Sequence, residues 1–91
     1  MATLTTDKGK TYSIHYVVCP TFDGSCVIRM NDDRILSEIA PEFDGIHHMS
    51  YKNDDIGIDT EYNGYTELMG IFRGITDRVV QISLRKPNGG E

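Results

Sequence analysis

The chain has no tryptophan, only two cysteines and three prolines, and no long apolar run. Each scarcity removes a class of explanation. No stretch approaches the roughly 18–20 apolar residues that cross a bilayer. Residues 1–7 also lack the basic and apolar regions of a secretory leader, so the expected location is the cytoplasm, with no membrane partner. Two cysteines, Cys19 and Cys26, are too few for a disulfide scaffold, and a reducing compartment keeps them as thiols. No glycine-rich phosphate loop, G-x-S-x-G elbow, H-E-x-x-H or C-x-x-C spacing occurs, so neither an enzyme nor a cofactor is expected. Basic residues are too few and too scattered to neutralise a run of phosphates, which argues against direct nucleic-acid binding.

Acidic residues are plentiful, and they are concentrated. Between Asp32 and Glu67 there are ten, against two basic residues, Arg34 and Lys52. A small body with a field of one sign is steered toward a surface or ion of the opposite sign. At 91 residues, 38% apolar and 25% charged, the composition is that of one folded domain over residues 1–91. Residues 1–9 and 87–91 read as flexible ends.

Alternation marks the strands. In residues 11–19, Tyr12, Ile14, Tyr16 and Val18 share one face; in residues 25–30, Cys26, Ile28 and Met30 do the same. Pairing them as a hairpin around Pro20-Thr21-Phe22-Asp23-Gly24 sets Val18 opposite Cys26 and Ile14 opposite Met30. In that register the two cysteines point to opposite faces, which argues against a disulfide. A short helix is predicted from the Asn31-Asp32-Asp33 cap through Ile35, Leu36 and Ile39, ending before Pro41. A second hairpin pairs Tyr51 with Ile56 and Met49 with Ile58. The spacing of Tyr65, Leu68, Met69, Phe72 and Ile75 predicts a second helix stopped by Gly74. A last strand over residues 78–86 turns Val80, Ile82 and Leu84 inward.

The expected fold is therefore α+β, in the order ββαββαβ, with an antiparallel-dominated five-stranded sheet carrying two helices on one face. Without its first strand that order resembles the ferredoxin-like arrangement, which hosts many unrelated functions.

Two sets of candidate residues follow. Asp59, Glu61 and Asn63 followed by Gly64, with Glu67 beyond, resemble the opening of a Ca²⁺ loop, although Gly70 stands where a bidentate glutamate is required. The other set is a docking surface. Asp32, Asp33, Asp54, Asp55, Asp59 and Glu61 supply charge, and Tyr62 and Phe22 supply aromatic anchors. The expected function is a small non-enzymatic protein that docks on a basic surface of a partner protein. An inhibitor of a nucleic-acid-binding protein, of phage or mobile-element type, is one form of it. The alternative is a regulatory module that binds a small molecule or Ca²⁺, with a homodimer as one form of it.

Overall fold

The alternating segments form strands, and so do two segments for which the sequence suggests something else. The computed structural model describes residues 1–32, 34–73 and 79–87. Its elements are β1 (Ala2–Thr6), β2 (Thr11–Val18), β3 (Ser25–Asn31), α1 (Leu36–Phe43), β4 (His48–Asn53), β5 (Ile58–Asn63), β6 (Glu67–Arg73) and β7 (Val79–Arg85). The strands form one antiparallel sheet in the order β5-β4-β1-β2-β3-β7-β6. This replaces the expected five-stranded α+β fold of ferredoxin-like type: the described residues contain seven strands and one short helix.

The largest difference is β6, expected as the second helix. It pairs with β7 through Leu68 and Leu84, then Ile71 and Ile82, with a register shift between Leu68 and Gly70. That bulge at Met69 places the inward residues Leu68 and Ile71 three positions apart, which in the sequence imitates a helical period. Gly74 and Ile75, the expected end of that helix, lie outside the described residues.

A second difference is at the start of the chain. Residues 2–6, expected to fray, lie between β4 and β2, with Ala2, Leu4 and Thr6 buried. Among these Leu4 is the one large apolar side chain, so the alternation is faint in the sequence. At the other end, residues 88–91 of the expected tail lie outside the described residues.

The first helix also moves. Its N-cap is Ile35, without a side-chain cap, and it continues through Pro41 to Phe43. Proline removes one backbone donor. Extending the helix, however, brings Phe43 onto the same stripe as Ile39, and both are fully buried, worth roughly 2 kcal/mol each. In the second hairpin Tyr51 pairs with Thr60 and Met49 with Tyr62, four residues from the expected register. The apolar Ile56 is left 65% exposed in the turn.

A bulge in β2 alters the first hairpin. Ile14 pairs with Met30 as expected, but Tyr16 then faces Arg29, Val17 faces Ile28 and Val18 faces Val27, with the shift at His15. One extra residue reverses which side chains point inward. Val17 now packs on the core, and one step further Cys19 lies beside Cys26. Their Cα atoms are 4.4 Å apart and the two are joined as a disulfide, against the expectation of two thiols on opposite faces. The spacing is that of a closely paired cross-strand position, about 4.5 Å.

The connectivity then determines the shape of the sheet. Its two edge strands, β5 and β6, are six antiparallel steps apart and so run in the same direction. Three residues, Gly64, Tyr65 and Thr66, join them, a link that spans at most about 14 Å. By register, β5 ends level with the start of β2 and β6 begins level with its end. A flat sheet cannot satisfy both conditions, so the sheet coils over on itself. The bend falls at Gly64, whose φ of 84° suits glycine. The two halves, β5-β4-β1-β2 and β2-β3-β7-β6, share β2 and enclose one cluster of buried side chains. Phe43 of α1 joins that cluster, its ring 5.0 Å from that of Tyr12.

Candidate functional site

The expected docking residues fall into separate groups, because the coiled sheet turns them in different directions. The β4–β5 hairpin holds the main group. Its turn is closed by the Asp55 N–H donating to Asn53 Oδ1 at 3.0 Å and by Gly57 at a φ of 72°. Asp54 and Asp55 are exposed in that turn, and Asp55 forms an ion pair with the chain's amino terminus. Along β5, Asp59 and Glu61 alternate outward with Asn63, and all three are exposed. Asp59 pairs with Lys52 in the sheet. Glu61 Oε1 lies 3.2 Å from His48 Nε2, and Asn63 Oδ1 lies 2.6 Å from His48 Nδ1. Because β5 is an edge strand, its outer backbone groups are unpaired in the sheet. Four carboxylates therefore line one exposed turn and one open edge.

Asp32 lies elsewhere and is already engaged. Its carboxylate accepts from the Arg34 N–H at 2.8 Å and from Arg34 Nη2 at 2.7 Å. Arg34 also donates to both oxygens of Glu42, from Nη1 at 2.5 Å and from Nη2 at 3.0 Å. Glu42 Oε1 accepts the Tyr12 hydroxyl at 2.8 Å, and Arg73 Nη1 donates to the Asp32 carbonyl at 3.0 Å. Hydrogen bonds from Arg34 hold Asp32 and Glu42 below the usual carboxylate range. Burial, with the bond to Glu42, pushes the Tyr12 hydroxyl up. This network ties α1 to β2 and to the end of β3. Asp33 lies outside the described residues.

The two aromatic candidates separate as well. Tyr62 faces inward opposite Met49 and packs against the core, and burial raises its hydroxyl above the ordinary range. Phe22 is fully exposed at the tip of the β2–β3 hairpin. Of the Ca²⁺ set, Asp59, Glu61 and Asn63 lie in a strand rather than a loop. Glu67 lies beyond the Gly64 bend, where Arg85 Nε donates to it at 2.7 Å and holds its carboxyl low. Among the described residues, no three His, Cys, Asp or Glu side chains are grouped to hold a metal.

A second outer surface lies on the β2-β3-β7-β6 half; Arg29, Gln81 and Ser83 face outward there as their alternation suggests, but its apolar residues are not evident in the sequence. Register places Tyr16, Arg29, Gln81 and Phe72 in one row across it, with Val18, Val27, Ser83 and Gly70 in the next. Tyr16, Val18, Met69 and Phe72 are each between 42% and 52% exposed, so this face is apolar where the other half is polar. Arg29 lies over the Tyr16 ring, 5.8 Å from its centroid, and donates from Nη1 to its hydroxyl at 3.2 Å. Only the two bulges turn Tyr16 and Phe72 outward, each out of phase with the inward residues Ile14 and Leu68 that precede it. A strict period of two or a helical period hides them in the sequence.

No protein-family model, curated protein or solved structure matches the chain. No helix among the described residues is long and apolar enough to cross a membrane.

Proposed function

We propose that this protein is a non-enzymatic interaction module that docks the acidic β4–β5 hairpin and the β5 edge onto a basic surface of a partner protein. The observation that carries this reading is the placement of Asp54, Asp55, Asp59 and Glu61, all exposed, along one turn and one open strand edge. Opposed charge guides such an encounter, and an unpaired edge offers backbone hydrogen bonds to an extended segment. A nucleic-acid-binding groove is one basic surface of suitable kind, so occupying such a groove is the concrete form proposed. The proposed compartment is the cytoplasm, where the Cys19–Cys26 disulfide is open to reduction.

The test compares the tagged protein with a variant in which Asp54, Asp55, Asp59 and Glu61 are all lysine. Both serve as bait at low and at moderate salt, after circular dichroism shows that the variant is folded. The expected result is a basic partner recovered by the native protein at low salt, lost as salt rises and absent from the variant. Equal recovery by both baits overturns the reading.

A second reading is favoured by one observation, the exposed Tyr16, Val18, Met69 and Phe72 on the outer face of the other half. It is a homodimer through that face. Sedimentation over a range of concentrations tests it, and a monomer at every concentration excludes it.

A further inference from the structure

We propose that Cys19 is a thiol-exchange site, at which an external low-molecular-weight thiol forms a mixed disulfide while Cys26 is released as a buried resolving thiol. The two sulfurs of the disulfide differ in access. Cys26 is completely buried, between the inward side chains of β3 and β7, whereas Cys19 is partly exposed where β2 enters the hairpin tip. A thiolate must reach the sulfur that it attacks, so exchange occurs at Cys19.

In the step itself the thiolate sulfur bonds to Cys19 Sγ and the Cys19–Cys26 bond breaks. Its electron pair leaves with Cys26 Sγ, which takes the proton that the incoming thiol lost. One thiol and one disulfide are consumed, and one mixed disulfide and one thiol are formed. In the reverse direction the Cys26 thiolate attacks Cys19 and expels the external thiol.

Two features allow the bond to open without loss of the fold. The tip has hydrogen bonds of its own: the Thr21 N–H donates to the Ser25 carbonyl at 2.8 Å and the Gly24 N–H to the Thr21 carbonyl at 2.9 Å. The Ser25 hydroxyl also donates to Asp23 Oδ1 at 2.7 Å. Bonds from Thr21 and Ser25 pull the Asp23 carboxyl down to about 2, so this bonding persists at neutral pH. Released Cys26 remains among Ile28, Ile82 and Leu84, and a protonated cysteine behaves there as a small hydrophobe. What changes is the covalent tie between the end of β2 and the start of β3, on either side of the tip that presents Phe22. The exchange stands independently of the acidic edge.

The experiment uses the full chain, purified without reductant and incubated with reduced glutathione at neutral pH. Thiols are then blocked with a maleimide, and cleavage at Asp23 separates the two cysteines for mass spectrometry. The expected product carries glutathione on Cys19 and maleimide on Cys26 once the protein is denatured for labelling. Complete reduction lowers Tm by about 10 °C, the loss expected for opening a loop of this length. In the folded Cys26→Ser variant Cys19 reacts with maleimide, and in Cys19→Ser the remaining cysteine reacts only after denaturation. Glutathione on Cys26, no adduct at all, or two free thiols before any reductant is added would each overturn the proposal. All three outcomes are read on the native protein, so they hold even if a variant does not fold.

Discussion

The two halves of the sheet share β2 and one core, yet their outer faces have opposite character. On the β5-β4-β1-β2 half the outward positions are Thr3, Thr5, Ser13, Ser50, Lys52, Asp59 and Glu61. On the β2-β3-β7-β6 half they are Tyr16, Val18, Val27, Arg29, Gln81, Ser83 and Phe72. Inside, both halves contribute the same kind of aliphatic side chain: Leu4 and Met49 from the first, Ile28 and Ile82 from the second. The lesson is that burial constrains the inner positions of both halves alike and leaves the outer positions open to function. The acidic character that dominates the composition belongs mainly to one half and to the network around Arg34.

The largest expected effect comes from the residues that the β2 bulge turns inward. Replacing both Val17 and Cys19 with alanine removes a side chain packed on the core and the covalent tie to Cys26. Loss of about 4 kcal/mol is expected, combining the Val17 contacts with the disulfide. Urea denaturation measures it. A variant as stable as the native protein would mean that the bulge does not bring these two side chains to the core.

Next in size is a test of the shared core. Leu4→Ala in one half and Ile28→Ala in the other should each cost about 3 kcal/mol. In each variant the whole protein should unfold in one transition, followed by tyrosine fluorescence and far-ultraviolet circular dichroism together. Two separated transitions, each moved by one of the substitutions, would show that the halves are independent.

The smallest expected effect concerns the acidic residues that the sheet does not turn toward a partner. Arg34→Met leaves Asp32 and Glu42 partly buried without their cation and should cost about 2 kcal/mol at pH 7. The sign of its pH dependence follows from the direction of the shifts. Both carboxyls are lowered in the folded protein, so the stability they supply is fully present above their unfolded values of about 4 and is lost as pH falls through and below them. The gap between native protein and variant should narrow from pH 5 to pH 3 in denaturation curves. A gap that stays constant would mean that Arg34 acts through packing alone.

Parts of the candidate site were legible in the sequence. Asp54 occupies a turn as its neighbour Asn53 suggests, while Asp55, expected to open the next strand, extends that turn because β5 begins only at Ile58; Phe22 is at a hairpin tip because Pro20, Asp23 and Gly24 surround it. Asp32 was not legible as a structural residue, because Glu42, which shares Arg34 with it, and Arg73, which donates to its carbonyl, come from elsewhere in the chain. Tyr62 was misplaced because β5 continues to Asn63, so a residue expected in a loop lies in the strand and faces inward opposite Met49.

What the sequence determined by itself is the set of strands with an unbroken period, Thr11–Val18 as far as Ile14, Ser25–Asn31 and Val79–Arg85, together with the band of acidic residues in the middle of the chain. Those features depend on neighbours two positions apart, and the alternation of side chains along an extended backbone is a local property. Tertiary structure alone decided that Glu67–Arg73 is a strand, that Ala2–Thr6 lies inside the sheet, that α1 continues past Pro41 and that Cys19 meets Cys26. Each of these depends on a bulge, or on backbone and side-chain partners supplied from distant parts of the chain, and such partners exist only once the sheet has assembled and coiled around its core.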